Sequence, residues 1–238
     1  MTFPVRAITL DLDDTIWPIA PVMERAEAVL ADWLRQHAPR TSQRFSVEAM
    51  RAMRDEISAQ RPDLAHDFTA QRRLTLERML REGGDDTALA AAAFEVFFDA
   101  RCRVEHYADS EAALNRLAAR VPLAALTNGN ADLVRIGLMP LFRFQLGARE
   151  HGRAKPDASI FHAACARLQI EPAQVLHVGD DIELDVVGGA RAGLRTCWIN
   201  REDRSWPHSH VRPDLEFTTL AELADWLDTA HRTDTVAA

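Results

Sequence analysis

Four short apolar runs each stop abruptly in polar or glycine residues: VRAITL at 5–10, VPLAAL at 121–126, VLHV at 175–178 and RTCWI at 195–199. Short runs that are largely apolar on both faces suit strands of a buried parallel sheet. Helical spacing lies between the later ones. Ala113, Leu114 and Leu117 share a face over 110–119, behind an N-cap expected at Asp109. Ile160, Phe161, Ala164 and Leu168 do so over 156–168, with Pro156 expected in the first turn. Leu220, Leu223, Trp226 and Leu227 repeat the pattern over 219–228. Strand and helix in alternation predict an α/β fold with a doubly wound parallel sheet.

The first strand breaks the rhythm. About 110 residues separate it from the next, far more than an ordinary connection. Helical stripes fill the gap: Val22, Ala26, Val29, Leu30, Trp33 and Leu34; then Val47, Met50, Met53 (or Arg54) and Ile57 behind Ser46; then 68–82, ending at Gly83-Gly84; then an Ala-rich stretch with Phe94, Phe97 and Phe98. The expected organisation is a core of residues 1–16 and 106–238, with an inserted all-α module of four helices at 17–105. The TDTVAA end is expected to fray.

The chemistry gathers where the runs end. Asp11, Asp13, Asp14 and Thr15 follow the first; Thr127, Asn128, Gly129 and Asn130 the second; Gly179, Asp180, Asp181 and then Asp185 the third. Open α/β sheets bind ligands outside the carboxyl ends of their strands, so these groups can converge. Close carboxylate pairs repel by roughly 4 kcal/mol at 4 Å and an effective dielectric near 20. Either some are protonated or a cation sits among them, and an oxygen-only, partly open site suits Mg²⁺. Lys155, before the 156–168 helix, supplies a positive group, and the helix N-terminus adds partial charge. The Thr127 hydroxyl and the amides of Asn128 and Gly129 complete a pocket for a phosphoryl group.

Alone, each piece has a blander reading. DLDD and TNGN are common turns, GDDIELD can be an acidic helix start, and KPD merely begins a helix. Their order, each at the end of an element, favours the shared site. Composition narrows the rest. A net charge of −8 argues against nucleic acid and membrane surfaces as partners. Three scattered cysteines fit neither a disulfide framework nor a zinc site, and with no leader or spanning segment evident a cytoplasmic protein is expected.

DLDDT at 11–15, TNG at 127–129, Lys155 before Pro156 and GDDIELD at 179–185 together resemble the haloacid dehalogenase-like superfamily. That resemblance spans nearly the whole chain. It implies a Rossmann-like core with a helical cap inserted after the first strand. It also implies a hydrolase of small-molecule phosphate esters, as monomer or homodimer. By the same resemblance, Asp11 is the nucleophile and Asp13 the general acid and base. Thr127 and Asn128 bind phosphate, and Lys155 neutralises its charge. Mg²⁺ is held by Asp11, Asp180 and the Asp13 carbonyl, with Asp181 and Asp185 supporting from behind. Dehalogenating members lack an acid at the Asp13 position, because a halide leaves without a proton. Phosphonate-cleaving members use a cap lysine, and residues 17–105 contain none.

Longer strings, LDLDDTIW, ALTNGNADL, HGRAKP and HVGDDIELDV, are similar to a cap-bearing subgroup acting on flavin mononucleotide and phosphorylated ribitylaminouracil. Sugar phosphates and nucleotides are the alternative substrates, and a phospho-accepting receiver or binding module is the alternative class. Trp17 is expected as a hinge or core anchor before a ring-stacking platform. Arg72, Arg73 and His66 are expected on a solvated helix face. His151 and Arg153 are candidates for lining the cleft, and His208 and His210 are expected in a solvent loop.

Overall fold

A computed structural model describes the backbone of residues 3–236 and the side chains of residues 3–230. The chain opens with strand β1 (Ala7–Leu10), followed by helices α1 (Ile19–His37), α2 (Pro39–Arg44), α3 (Val47–Gln60), α4 (Phe68–Gly83) and α5 (Ala90–Arg101). Then come α6 (Ser110–Ala118), β2 (Leu123–Thr127), α7 (Leu133–Ile136), β3 (Gln145–Gly147), α8 (Ala148–His151), α9 (Ala158–Leu168) and β4 (Val175–Gly179). A π-helical turn at Ile182–Val187, α10 (Gly188–Arg191), β5 (Arg195–Ile199), β6 (Leu215–Phe217) and α11 (Leu220–Val236) complete it. The end of the expected frayed tail, residues 237–238, lies outside the described residues, and α11 runs through 233–236.

Backbone packing groups Met1–Pro18, Glu105–Gly129 and Gly137–Ala238 into one unit, and Ile19–Val104 with Asn130–Ile136 into another. The first is an α/β unit. Its six strands are all parallel, in the order β3-β2-β1-β4-β5-β6. This is the doubly wound, Rossmann-like arrangement, with its direction of winding reversing beside β1. β1, β2 and β4 are buried throughout, which explains their unbroken apolar runs. The two outer strands, β3 and β6, span three residues each and include partly exposed positions, so no apolar run announced them.

The second unit is helical. Leu30 and Leu34 of α1, Leu76 and Leu80 of α4, and Phe94 and Phe97 of α5 meet in its core. Ser46 caps α3 by accepting from the Ala49 N–H at 3.2 Å, and Gly84 closes α4 in the left-handed region, both as expected. The unit holds two α-helices more than expected, α2 and the short α7 within Asn130–Ile136. α2 begins with Pro39 in its first turn and reaches α4 at Gly83, where a Cβ would come within 2.3 Å of Thr41 Oγ1.

Two expected helix starts are corrected. α9 begins at Ala158, with Asp157 accepting from the Ser159 N–H, so Pro156 lies ahead of the helix rather than in its first turn. A cis bond joins Pro156 to Lys155. Asp109 does not cap α6. Its carboxylate accepts instead from the Leu220 N–H of α11 and from Arg201.

Candidate active site

β1, β2 and β4 lie side by side, so the residues that leave their carboxyl ends emerge together. Asp11 follows β1, Thr127 ends β2 and Asp180 follows β4. The backbone turns sharply after β1, with Asp14 in the left-handed region at φ 58° and its N–H donating to the Trp17 carbonyl. Aspartate tolerates this conformation better than most residues.

Lys155 is the only lysine in the sequence, and it is 3% exposed. Its Nζ donates to Asp11 Oδ1 at 2.7 Å and to Asp185 Oδ1 at 2.6 Å. Burial alone would discharge it, but the two carboxylates outweigh burial and hold its pKa above the ordinary lysine value. Asn128 fixes the backbone at this point: its Nδ2 donates to the Lys155 carbonyl at 2.9 Å and its Oδ1 accepts the Lys155 N–H at 2.7 Å. The side chain of Asn128 is therefore a strap for Lys155. Thr127 Oγ1 accepts from the Gly129 N–H at 2.9 Å, which leaves its own hydroxyl proton to donate.

Asp185 is locked. Its Oδ1 also meets His177 Nε2 at 3.0 Å, and its Oδ2 accepts the Asp181 N–H at 3.1 Å. Burial opposes its charge, yet Lys155 and His177 prevail and keep its pKa below the ordinary range. The π-helical turn brings Asp185 back over the end of β4. Only glycine fits beneath it, since a Cβ on Gly179 would lie 2.2 Å from the carboxyl. Asp181 builds this turn by accepting from the N–H groups of Glu183 and Leu184, each at 2.8 Å.

Asp11, Asp180 and Asp185 each bring a carboxylate oxygen within 4.8 Å of the others. Asp185 is already saturated by Lys155, His177 and the Asp181 amide, so Asp11 and Asp180 are the pair suited to a cation. Their electrostatics fit one. Burial first, then the Asp185 and Asp14 charges, push the Asp180 pKa up to about 7. Burial also raises Asp11 well above its ordinary value, with Lys155 opposing and Asp185 and Asp180 adding to the rise. Two carboxyls whose charge is disfavoured chiefly by burial form an oxygen donor set for a hard divalent ion. Thr15 Oγ1 donates to Asp180 Oδ1 at 3.2 Å, and Trp198 Nε1 donates to the Asp180 carbonyl at 2.9 Å.

The Asp13 carboxylate stands apart from this cluster. Its Oδ1 accepts from Trp17 Nε1 at 2.8 Å. Trp17 is fully buried, so it holds Asp13 and cannot serve as a stacking platform. Of the cleft candidates, His151 bonds Ser159 Oγ and Arg153 pairs with Asp157, both around the start of α9. His208 pairs with Glu183, and no metal-ligating group among the described residues includes it or His210. Arg73 is exposed over the Phe94 ring, but Arg72 is buried, against the expected solvated face.

Sequence reading passed over His177, whose Nδ1 meets Thr9 Oγ1 at 2.9 Å inside the sheet. Burial lowers its pKa. A neutral ring then donates from Nε2 to Asp185 and accepts from Thr9 at Nδ1. The signal was present as a lone polar residue in the apolar run VLHV. Cys102, Cys165 and Cys197 are unpaired. No helix among the described residues is long and apolar enough to cross a membrane.

Known proteins resemble this chain over most of its length. Residues 5–193 match the family model described as haloacid dehalogenase-like hydrolase. The 5-amino-6-(5-phospho-D-ribitylamino)uracil phosphatase of Escherichia coli is 34% identical over 92% of this chain and 94% of its own. The glyceraldehyde 3-phosphate phosphatase of Methanopyrus kandleri is 27% identical over 93% and 96%. A crystal structure described as a 2-haloacid dehalogenase from Pseudomonas syringae superposes with a TM-score of 0.88, at 35% identity over 94% of this chain and 99% of that one.

Proposed function

The chain belongs to the haloacid dehalogenase-like hydrolases, and we propose that within that family it is a Mg²⁺-dependent phosphatase acting through an aspartyl phosphate on Asp11. The observation that carries this reading is Lys155 bridging Asp11 and Asp185, with Asp180 alongside. A carboxylate nucleophile, a buried ammonium and a divalent ion together accommodate the charge of a phosphoryl group in flight.

In the first step a carboxylate oxygen of Asp11 bonds to phosphorus and the ester P–O bond breaks. Asp13 gives its proton to the departing alkoxide. In the second step Asp13 takes a proton from water, the water oxygen bonds to phosphorus, and the bond to Asp11 breaks to release phosphate. Thr127 and the Asn128 amide hold phosphoryl oxygens, while Lys155 balances charge that builds on them. Asp11, Asp180 and the Asp13 carbonyl would hold Mg²⁺, which would supply the charge neutralisation that admits an anionic substrate. Asp185 and Asp181 keep Lys155 and the β4 turn in place.

Phosphorylated ribitylaminouracil, the compound in the name of the Escherichia coli relative, is the leading substrate, with flavin mononucleotide beside it from the sequence resemblance. The Methanopyrus kandleri relative keeps sugar phosphates as the alternative. The Pseudomonas syringae likeness raises haloacid chemistry as a second reading. Asp13 disfavours it, since halide departure needs no acid. The test compares phosphate release from flavin mononucleotide, sugar phosphates and nucleotides with chloride release from 2-chloropropionate. Phosphate release that stops with chelator, returns with Mg²⁺ and is lost in Asp11→Asn supports the proposal. Chloride release without phosphate release overturns it.

A further inference from the structure

The helical unit contains a buried cation that meets an aromatic ring and, among the described residues, no carboxylate or carbonyl. Arg72, on α4, is 6% exposed, and its guanidinium lies over the Phe97 ring at 4.0 Å from the centroid. Among the described residues no carbonyl or carboxylate accepts from it. The buried carboxylate in its neighbourhood, Glu27, is already engaged: Oε2 accepts from Arg51 Nε at 2.7 Å, and Oε1 faces Arg54 Nη1 at 3.9 Å. Three arginines thus share one acid. Burial, followed by the charge of Arg54, brings the Arg72 pKa down to about 10, with Glu27 pulling the other way.

Stacking on Phe97 uses the face of the guanidinium and leaves its in-plane N–H groups unspent. Those groups form a planar fork that matches the two oxygens of an oxyanion. A second donor lies one turn earlier on the same helix face. Thr69 is 4% exposed, and its Oγ1 accepts from Asn130 Nδ2 at 3.3 Å, so its own proton remains to be given. We propose that Arg72 is the centre of an oxyanion-binding site in the helical unit, with Thr69 as its second donor.

Two sources carry this chemistry. One is a second anionic group on the phosphate ester, which rests on the phosphatase reading. The other is a free anion acting as an effector, which does not. Sulfate is the probe. Its effect on the melting temperature of the full chain is compared with that of chloride at equal ionic strength, in wild type, Arg72→Met and Arg72→Lys. The catalytic pocket contributes equally to all three, so the difference belongs to Arg72. At least half of the sulfate-dependent rise is expected to vanish in Arg72→Met and to return in part in Arg72→Lys. An equal rise in wild type and Arg72→Met overturns the proposal. If Arg72→Met does not fold, a sulfate response in Arg72→Lys as large as in wild type overturns it as well.

Kinetics separate the sources. For a substrate group, the KM of a carboxylate-bearing phosphate ester rises about tenfold relative to that of p-nitrophenyl phosphate in Arg72→Met. For a free anion, that ratio holds while sulfate loses its effect on the melting temperature. A protein that binds sulfate at Arg72 yet releases phosphate from no ester refutes the phosphatase reading alone.

Discussion

At the scale of single residues, Trp17 separates two kinds of leaving group. Its indole N–H holds the carboxylate of Asp13, the proposed proton donor. Trp17→Phe removes that hydrogen bond and leaves the ring in the core. An alkoxide needs the proton from Asp13, whereas p-nitrophenolate leaves readily without it. The expected result is a loss of about tenfold in kcat for alkyl phosphates with little change for p-nitrophenyl phosphate. Equal losses for both would mean that Trp17 supports the fold alone. Lys155 offers a second residue-scale test, because the chain has no other lysine. Lys155→Met leaves Asp11 and Asp185 facing each other without a counter-charge, and unpairing a buried charge costs about 3–5 kcal/mol. Urea unfolding measures that loss. A variant as stable as wild type would show that the ammonium does not hold the two carboxylates together.

At the scale of elements, the strand ends carry the site, and the two features that shape it differ in how visible they are. Asp11, Thr127 and Asp180 could be placed from sequence because each follows a run whose apolar character marks a buried parallel strand. His177 and the locking role of Asp185 could not, since a hydrogen bond across the sheet leaves no trace in spacing. The strap from Asn128 was equally hidden: TNGN reads as a turn, and nothing local says that its amide grips a residue far along the chain. β3 and β6 escaped because three residues carry too little pattern. Gly179 is the element-scale consequence. The π-helical turn folds Asp185 onto the space that a Cβ would fill, so Gly179→Ala pushes the carboxylate away from Lys155 and His177. Overpacking of this kind costs about 1–3 kcal/mol, and turnover is expected to fall further than stability because Lys155 moves with its partner. Parallel measurement of kcat and urea midpoint checks this. A Gly179→Ala enzyme with unchanged kcat would show that Asp185 is not needed where it stands.

At the scale of the whole molecule, the opposed ionisation tendencies of the cluster make stability depend on pH, and a divalent ion should reverse part of that dependence. Asp180 is raised to about 7, and Asp11 is raised as well, chiefly by burial. Metal-free folded protein therefore keeps protons that the unfolded chain releases. Their contribution is full below the ordinary carboxylate pKa of about 4 and is lost as pH rises toward the folded values. Asp185 runs the other way: its depressed pKa adds stability above about pH 4 that is lost as pH falls. Lys155, raised, adds stability that persists below its ordinary value of about 10.4 and is lost only as pH climbs through the folded value. Between about pH 5 and about pH 7, then, the Asp11 and Asp180 contribution falls with pH, while His177, lowered by burial from its ordinary value of about 6.5, adds stability as pH rises, so the carboxylate part is read as the difference between wild type and Asp180→Asn. Mg²⁺ favours the ionised carboxylates, so its stabilising effect should grow through the same window and level off above it. Thermal melts at stepped pH, with chelator or with millimolar Mg²⁺, read both curves. Asp180→Asn should flatten the Mg²⁺ response, because it removes the carboxylate whose proton the cation displaces. A Mg²⁺ effect that is the same at every pH in the window, or that survives intact in Asp180→Asn, would place the cation somewhere other than between Asp11 and Asp180.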